Sequence, residues 1–301
     1  MKTNFILPLA GLLVSVVGCG SIGGRVEPHA VGLAVAESSA GVEATFSRLD
    51  SALTAAPPVS VIARIDHAAN APADLPLRPT RVILFGNPML GTPLMQANQV
   101  AGIDLPQKFL VYQDAAGRTM VGYNSTDYLA QRHGVGAVET LPKINGVLKM
   151  FAEKASGGEV STPGTETVAR DEGLVSIASN ADAQTTYGRL RGAVQANPAL
   201  KIVAELDHAA NAARVGLQLR PTRLIVFGNP ALGTPLMRSA QTFGIDLPQK
   251  MLVYTDASGR TFVVYNDPAF LAKRHAATGV DESVGKINMA LGRLAATAAG
   301  N

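Results

Sequence analysis

The chain has 301 residues, enough for about two domains that each bury a core. Hydrophobic residues make up 47% and charged residues 16%, a balance that excludes a disordered or collagen-like chain. The formal net charge is +3, there is no Trp, and aromatics are 5%, so charge and stacking surface are both too small to point to a nucleic-acid partner.

In chain order, Lys2 is followed by an apolar stretch from Phe5 to Val17, interrupted by Pro8, and by Gly18 ahead of Cys19. This is the layout of a bacterial export signal, and the apolar run is too short to stay across a bilayer. Cys19 is the chain's one cysteine, so it has no internal disulfide partner. The expectation is a lipoprotein signal over residues 1–18, removed ahead of a lipidated Cys19, with 19–29 as a tether. An ordinary signal peptide with an incidental cysteine is the alternative. Gly20, where Asp would retain a lipoprotein at the inner membrane, places the expected anchor in the outer membrane, facing the periplasm.

Val31 to Ala36 is β-like, and Val42, Phe46, Leu49 and Leu53 recur at the helical spacing. Val59 to Ile65 reads as a strand running into Asp66-His67-Ala68-Ala69-Asn70, and Arg81 to Phe85 as a strand stopped by Gly86-Asn87-Pro88. Thr92 with Pro93 looks like a helix start reaching about two turns to Ala97. Phe109 to Gln113 and Thr119 to Tyr123 flank a glycine turn and form a hairpin. Asp127 to Gln131 is a short helix, and Ile144, Leu148 and Phe151 stripe a longer one.

The chain then repeats itself. Leu174 to Ala178, the stripe Tyr187, Leu190 and Val194, the strand Ile202 to Leu206 and the string Asp207-His208-Ala209-Ala210-Asn211 follow in the same order. Arg223 to Phe227, Gly228-Asn229-Pro230, Thr234, Met237 and a second hairpin (Met251 to Thr255, Thr261 to Tyr265) come next, then the stripe Ile287, Leu291 and Leu294. A spacing of about 140 residues is too long for a solenoid unit, so each copy is a domain. The divisions expected are 30–155, a Ser/Gly/Thr/Pro/Glu-rich linker over 156–171, and 172–299. Hairpin-joined strands with helices set to one side imply an α+β fold.

Asp-His-Ala-Ala-Asn, Leu-Arg-Pro-Thr, Phe-Gly-Asn-Pro-x-x-Gly-Thr-Pro-Leu-Met, Ile-Asp-Leu-Pro, Tyr-Asn and Arg-His, in this order and twice over, closely resemble the bacterial DUF302 family. The resemblance implies a TBP-like fold in each copy, a curved antiparallel sheet with helices on one face. Single-domain members are associated with homodimers, which implies that the tandem copies pack as an intramolecular pseudo-dimer, favoured by the linker's high effective concentration.

The candidate ligand-binding residues are Asp66, His67, Asn70, Asn87 and Thr92, with Asp207, His208, Asn211, Asn229 and Thr234. A carboxylate beside an imidazole can fix its tautomer and raise its basicity, or the imidazole can hold a metal. The same residues can equally cap short helices. A metal set would be His67, His133 and Met95, repeated as His208, His275 and Met237, although no His-x-x-x-His or Cys pair supports it. The loop from Gly86 to Pro93, with Arg78 and Arg81 nearby, could receive an anion, but it lacks the Gly-Lys-Ser/Thr of a P-loop and reads as readily as a structural turn. Asp104, Lys108, Tyr112, Tyr123 and Asn124 either line the sheet face or sit at an interface. No serine recurs in a motif, so no Ser-His-Asp triad can be drawn and no catalytic residue or cofactor is assigned. The expectation is a binding module with two equivalent small-molecule or metal sites. An enzyme using His67 and His208 as acid or base, and a protein-interaction module, are the alternatives.

Overall fold

The structure, a computed structural model, describes Met1 and residues 30–164 and 166–301; the signal, Cys19 and the tether lie outside the described residues. The first half runs β1 (Leu33–Ser38), α1 (Val42–Thr54), β2 (Ser60–Asp66), α2 (His67–Asn70), β3 (Thr80–Gly86), α3 (Pro88–Ala97), a 3-10 turn (Gln99–Ile103), β4 (Gln107–Gln113), β5 (Thr119–Asn124), α4 (Thr126–His133) and α5 (Leu141–Ser156). The second half repeats this order with β6 (Leu174–Ala178), α6 (Ala183–Gln195), β7 (Lys201–Asp207), α7 (His208–Arg214), β8 (Thr222–Gly228), α8 (Pro230–Ser239), a 3-10 turn (Gln241–Ile245), β9 (Gln249–Thr255), β10 (Thr261–Asn266), α9 (Pro268–Arg274) and α10 (Asp281–Ala299).

Each half is an α+β unit with a 5-stranded antiparallel sheet, ordered β1-β5-β4-β3-β2 and β6-β10-β9-β8-β7. Side chains alternate across each strand. Ile83, Phe85, Phe109 and Val111 join Leu49, Leu53, Leu148 and Phe151 in a core under α1 and α5. Val82, Leu84 and Leu110 face the other way, into a cluster shared with Leu206, Leu224, Val226 and Leu252 of the second sheet. Helices therefore cover one face of each sheet, and the other faces pack together. Burial on both faces explains why β3 reads as an unbroken Val82-Ile83-Leu84-Phe85 run, a pattern more usual in parallel sheets.

The halves also exchange contacts. The 3-10 turn of each lies on the other's sheet: Gln99 Nε2 donates to Thr222 Oγ1 at 2.7 Å, and Gln241 Nε2 donates to Thr80 Oγ1 and, at 3.1 Å, to the Arg78 carbonyl. Arg132 Nη2 reaches Asn266 Oδ1 at 2.9 Å and Arg274 Nη2 reaches Asn124 Oδ1 at 2.7 Å. The linker begins by pairing antiparallel with the edge of the first sheet, since Val35 and Ser161 exchange bonds of 2.7 and 2.8 Å.

Two local features differ from the sequence expectation. The helix expected at Thr92 starts earlier, at Pro88, because Asn87 caps it by accepting from Met89 N at 3.0 Å and Pro88 takes the first helical position. The Asp-His strings open helices of unequal length, four residues in α2 and seven in α7. Pro72 disfavours the helical conformation at Ala71, which sits at ψ 143°, whereas Ala212-Ala213-Arg214 continue freely.

Candidate functional site

Both Asp-His strings sit where a strand becomes a helix. Asp66 accepts from Ala69 N at 2.9 Å and Asn70 Nδ2 donates to the Asp66 carbonyl at 2.7 Å; Asp207 accepts from Ala210 N at 2.8 Å. These groups cap their helices, which leaves the histidine between them turned inward. His67 and His208 are buried, each under the other half's 3-10 turn. Burial pulls the His67 pKa down to about 4, opposed by hydrogen bonding to the backbone of Gly244 and Leu247. His208 is likewise brought to about 4 by burial, opposed first by the backbone of Gly102 and then by Asp207 and the backbone of Leu105. Both rings are neutral near pH 7. Gly244 permits this approach, since a Cβ there would lie 2.7 Å from Leu110 Cδ1 and 3.6 Å from His67 Cδ2.

Each histidine lines a cavity. One, of about 700 Å³, is lined by Asn87, Thr92, Met95 and Gln107 of the first half and by Asp207, His208 and Asn211 of the second. The other, about 290 Å³, is lined by Asn229, Thr234, Met237 and Gln249 of the second half and by His67 and Asn70 of the first. The candidate residues thus meet across the halves: Thr92 shares a cavity with His208, and Thr234 with His67. The walls are otherwise mostly apolar, with Leu90, Leu105 and Ile144 in the larger cavity and Leu232, Leu247 and Ile287 in the smaller. Asp66 does not line the smaller cavity; it lies 3.4 Å from Arg81.

Among the described residues, a matching Thr, Gln and His in each cavity carries a buried polar atom without a hydrogen-bond partner: Thr92 Oγ1, Gln107 Nε2 and His208 Nε2 in the larger, where Arg223 Nε is a fourth, and Thr234 Oγ1, Gln249 Nε2 and His67 Nε2 in the smaller. Buried polar groups are nearly always bonded, so a trio left unbonded in both cavities departs from the usual pattern. Gln107 and Gln249 were not among the sequence candidates, although both lie in the repeated Ile-Asp-Leu-Pro-Gln-Lys string.

His133 and His275 lie elsewhere. His133 Nε2 bonds Asp104 Oδ2 at 2.8 Å, Arg132 Nη1 bonds the same oxygen at 2.8 Å, and Lys250 of the other half reaches Asp104 Oδ1 at 3.1 Å. His275 and Arg274 hold Asp246 in the same way. The cations and imidazoles hold both carboxyls well below the usual carboxylate range despite burial. Tyr128 packs between Arg274 and Arg132, whose guanidinium carbons lie 4.0 and 5.7 Å from its ring centre. The copies differ in detail. Thr242 bonds His275 Nδ1 at 3.0 Å and Phe243 stacks on that ring at 4.7 Å, whereas Val100 and Ala101 occupy those places beside His133, whose Nδ1 is unpartnered. Lys108 Nζ and Asp246 Oδ1 are also unpartnered, and burial, with Lys250 nearby, lowers the Lys108 pKa well below the ordinary lysine value.

The metal sets read from the sequence are therefore not brought together. His133 is taken up by Asp104, Met95 shares its cavity with His208, and Met237 shares the other with His67. Among the described residues no group of three or more His, Cys, Asp or Glu could hold a metal ion. Asp104, Lys108 and Asn124 are buried between the halves, Tyr112 belongs to the inter-sheet cluster and Tyr123 to the core under the helices.

Similarity to known proteins agrees with the repeat. Over 105 residues the chain is 41% identical to the "Fluoride-specific ion channel FluC 1" of Brucella suis biovar 1 (strain 1330) and to FluC 2 of Brucella melitensis biotype 1, covering 35% of this chain and 41% and 38% of those proteins. The chain thus spans less than half the length of these relatives. A solved structure, an uncharacterized conserved DUF302 protein from Bacillus stearothermophilus, aligns with a TM-score of 0.39 at 16% identity, covering 42% of this chain and 98% of that one. The family model described as "Domain of unknown function DUF302" matches residues 34–151 and again 175–294, so the chain belongs to the DUF302 family and carries its domain in tandem.

Proposed function

We propose that this protein is a small-molecule binding module with two sites, each assembled from both halves. The observation that carries this reading is the orphaned trio of Thr, Gln and His in each cavity, set among mostly apolar walls. Such a lining, a few convergent polar groups in an apolar pocket, is what small-molecule sites present. A neutral imidazole, a hydroxyl and an amide supply hydrogen bonds without a fixed charge, so the occupant is amphipathic, with its polar group at the trio and its apolar body along the walls.

The test is calorimetric titration of the full chain with dodecanoate and dodecanol, beside the double variant Thr92→Val, Thr234→Val. Heat that is strongly reduced in the variant supports the reading, and the absence of heat with either compound overturns it. A second reading rests on one observation: Met95 with His208, and Met237 with His67, place a thioether and a neutral imidazole in each cavity, ligand types suited to Cu(I). Titration with Cu(I), followed by Met95→Leu, separates the two.

The channel activity in the relatives' names is left with those proteins, since the match covers less than half of them and no described helix here is long and apolar enough to cross a membrane. We further propose that Cys19 carries a lipid that holds the module at the envelope, supported by the apolar segment before the chain's one cysteine. Mass spectrometry of the exported protein showing residue 1 still attached would contradict it.

A further inference from the structure

The two cavities share their polar trio but not their size or their mouths. The larger is about 700 Å³ and the smaller about 290 Å³, near the middle and the lower edge of the range for small-molecule pockets. Two differences in sequence account for this. Val59 and Ser60 at the wall of the larger cavity are replaced by Leu200 and Lys201 in the smaller, and both replacements are bulkier. The uninterrupted helix α7 adds Arg214, with Val215 just after it, to the wall of the larger cavity; Pro72 stops α2 at four residues, and the smaller cavity has no such extension.

Charge at the mouths also differs in kind but agrees in sign. Asp50 with Arg64 and Arg191 with Glu205 are the same ion pair with its charges exchanged, at 2.6 and 3.0 Å, so neither contributes net charge. Of the other cations at the mouths, Arg223 faces Asp207 at 3.7 Å, which leaves Arg214 at the larger cavity and Lys201 at the smaller. Both are exposed; among the described residues Arg214 bonds the neutral Asn211 Oδ1, at 3.1 Å.

Resting on the reading of the cavities as ligand sites, we propose that the duplicated sites sort carboxylic acids by length: the larger takes a long-chain acid and the smaller admits only a short one. The carboxylic acid has the acceptor oxygens that the trio's hydroxyl and amide can donate to, and a charge that the mouth cation attracts. The apolar tail fills whatever length the wall leaves open. Selectivity resides in Val59 and Ser60 against Leu200 and Lys201, and in the extra helical turn.

The experiment is calorimetric titration of the full chain with hexanoate, dodecanoate and dodecanol. Hexanoate is expected to bind at two sites per chain and dodecanoate at one. The variant Val59→Leu, Ser60→Lys, which gives the larger cavity the residues of the smaller, should weaken dodecanoate about tenfold and leave hexanoate at two sites. The reciprocal Leu200→Val, which opens the wall of the smaller cavity and keeps the Lys201 cation, should raise dodecanoate to two sites. Arg214→Ala should weaken dodecanoate about fivefold and leave dodecanol unchanged. Dodecanoate binding equally at two sites of the unaltered protein, or wall variants that leave the acids' stoichiometry as it was, would overturn the sorting while leaving two ligand sites in place. Silence from both acids and the alcohol would instead remove the ligand sites on which the sorting rests.

Discussion

The molecule buries two sets of polar side chains kept in both halves, and treats them in opposite ways. Around Asp104 and Asp246, a guanidinium and an imidazole bond the carboxylate of their own half, and the network crosses the interface from Lys250 to Asp104, from Arg132 to Asn266 and from Arg274 to Asn124. Around Thr92 and Thr234, the hydroxyl, amide and imidazole are left without partners beside a cavity. The first arrangement is what holding two halves together requires. The second weakens the protein, because an unbonded buried polar group costs about 1–3 kcal/mol, a cost that the ligand proposed above would relieve. Repetition of a motif does not separate these roles; the first set is bonded save for His133 Nδ1, Lys108 Nζ and Asp246 Oδ1, whereas the second leaves the same three atoms unbonded in both copies.

The largest test of this contrast is Asp104→Ala, which strands Arg132 and Lys250 without their carboxylate. It is expected to lower stability by about 3–5 kcal/mol in urea unfolding, and a loss below about 1 kcal/mol would mean the network is not holding the halves.

Next comes pH. His67 and His208 have folded pKa values of about 4, against about 6.5 in an unfolded chain. Below pH 6.5 the unfolded state takes up protons that the folded state refuses, so stability falls as pH drops from 6.5 towards 4, by up to about 3 kcal/mol per ring. The double variant His67→Gln, His208→Gln should flatten the dependence in that window. The carboxyls of Asp104 and Asp246, held well below the usual range, contribute stability above the unfolded carboxylate pKa that is lost at more acid pH, as their protonation becomes the lower-energy route to unfolding.

Gly244→Ala should cost about 1–3 kcal/mol by overpacking Leu110, and Gly102→Ala less, because its Cβ would meet Leu252 Cδ1 and Met95 Sδ at 3.2 Å, where Gly244 meets Leu110 at 2.7 Å. Thermal melts of the two variants measure that difference between the halves. The smallest effect has the opposite sign: Thr92→Val removes an unbonded buried hydroxyl, so the ligand-free protein should be unchanged or stabilised by about 1 kcal/mol. A clear loss of stability would show that the hydroxyl is bonded after all and has a structural role.

The duplication and the α+β class were legible because strand and helix periods recur with their turn residues in the same order. The Asp-His, Gly-Asn-Pro and Gly-Thr-Pro strings were legible as special because they were kept while helix surfaces such as Asp50 and Arg191 drifted. What the strings could not reveal was partnership. Thr92 and His67 lie near each other in sequence yet serve different cavities, because the reciprocal packing of the 3-10 turns carries each histidine to the other half. One signal of that packing was present: Val82-Ile83-Leu84-Phe85 is apolar on both faces, so a second layer had to cover the face that the helices leave open. Arg132 and His133 were visible as a pair, but only the fold shows that Asp104 takes up both, which removes His133 from any metal set. The unequal cavities rest on Pro72 and on Ser60 against Lys201, single positions that a comparison of motifs passes over.

The most direct measurement is a double-mutant cycle on dodecanoate affinity, combining Thr92→Val with His208→Gln and, separately, with His67→Gln. Sites assembled across the halves predict that Thr92 and His208 are coupled, their effects falling short of or exceeding the sum, while Thr92 and His67 add independently. Coupling of Thr92 with His67 and additivity with His208 would contradict the account.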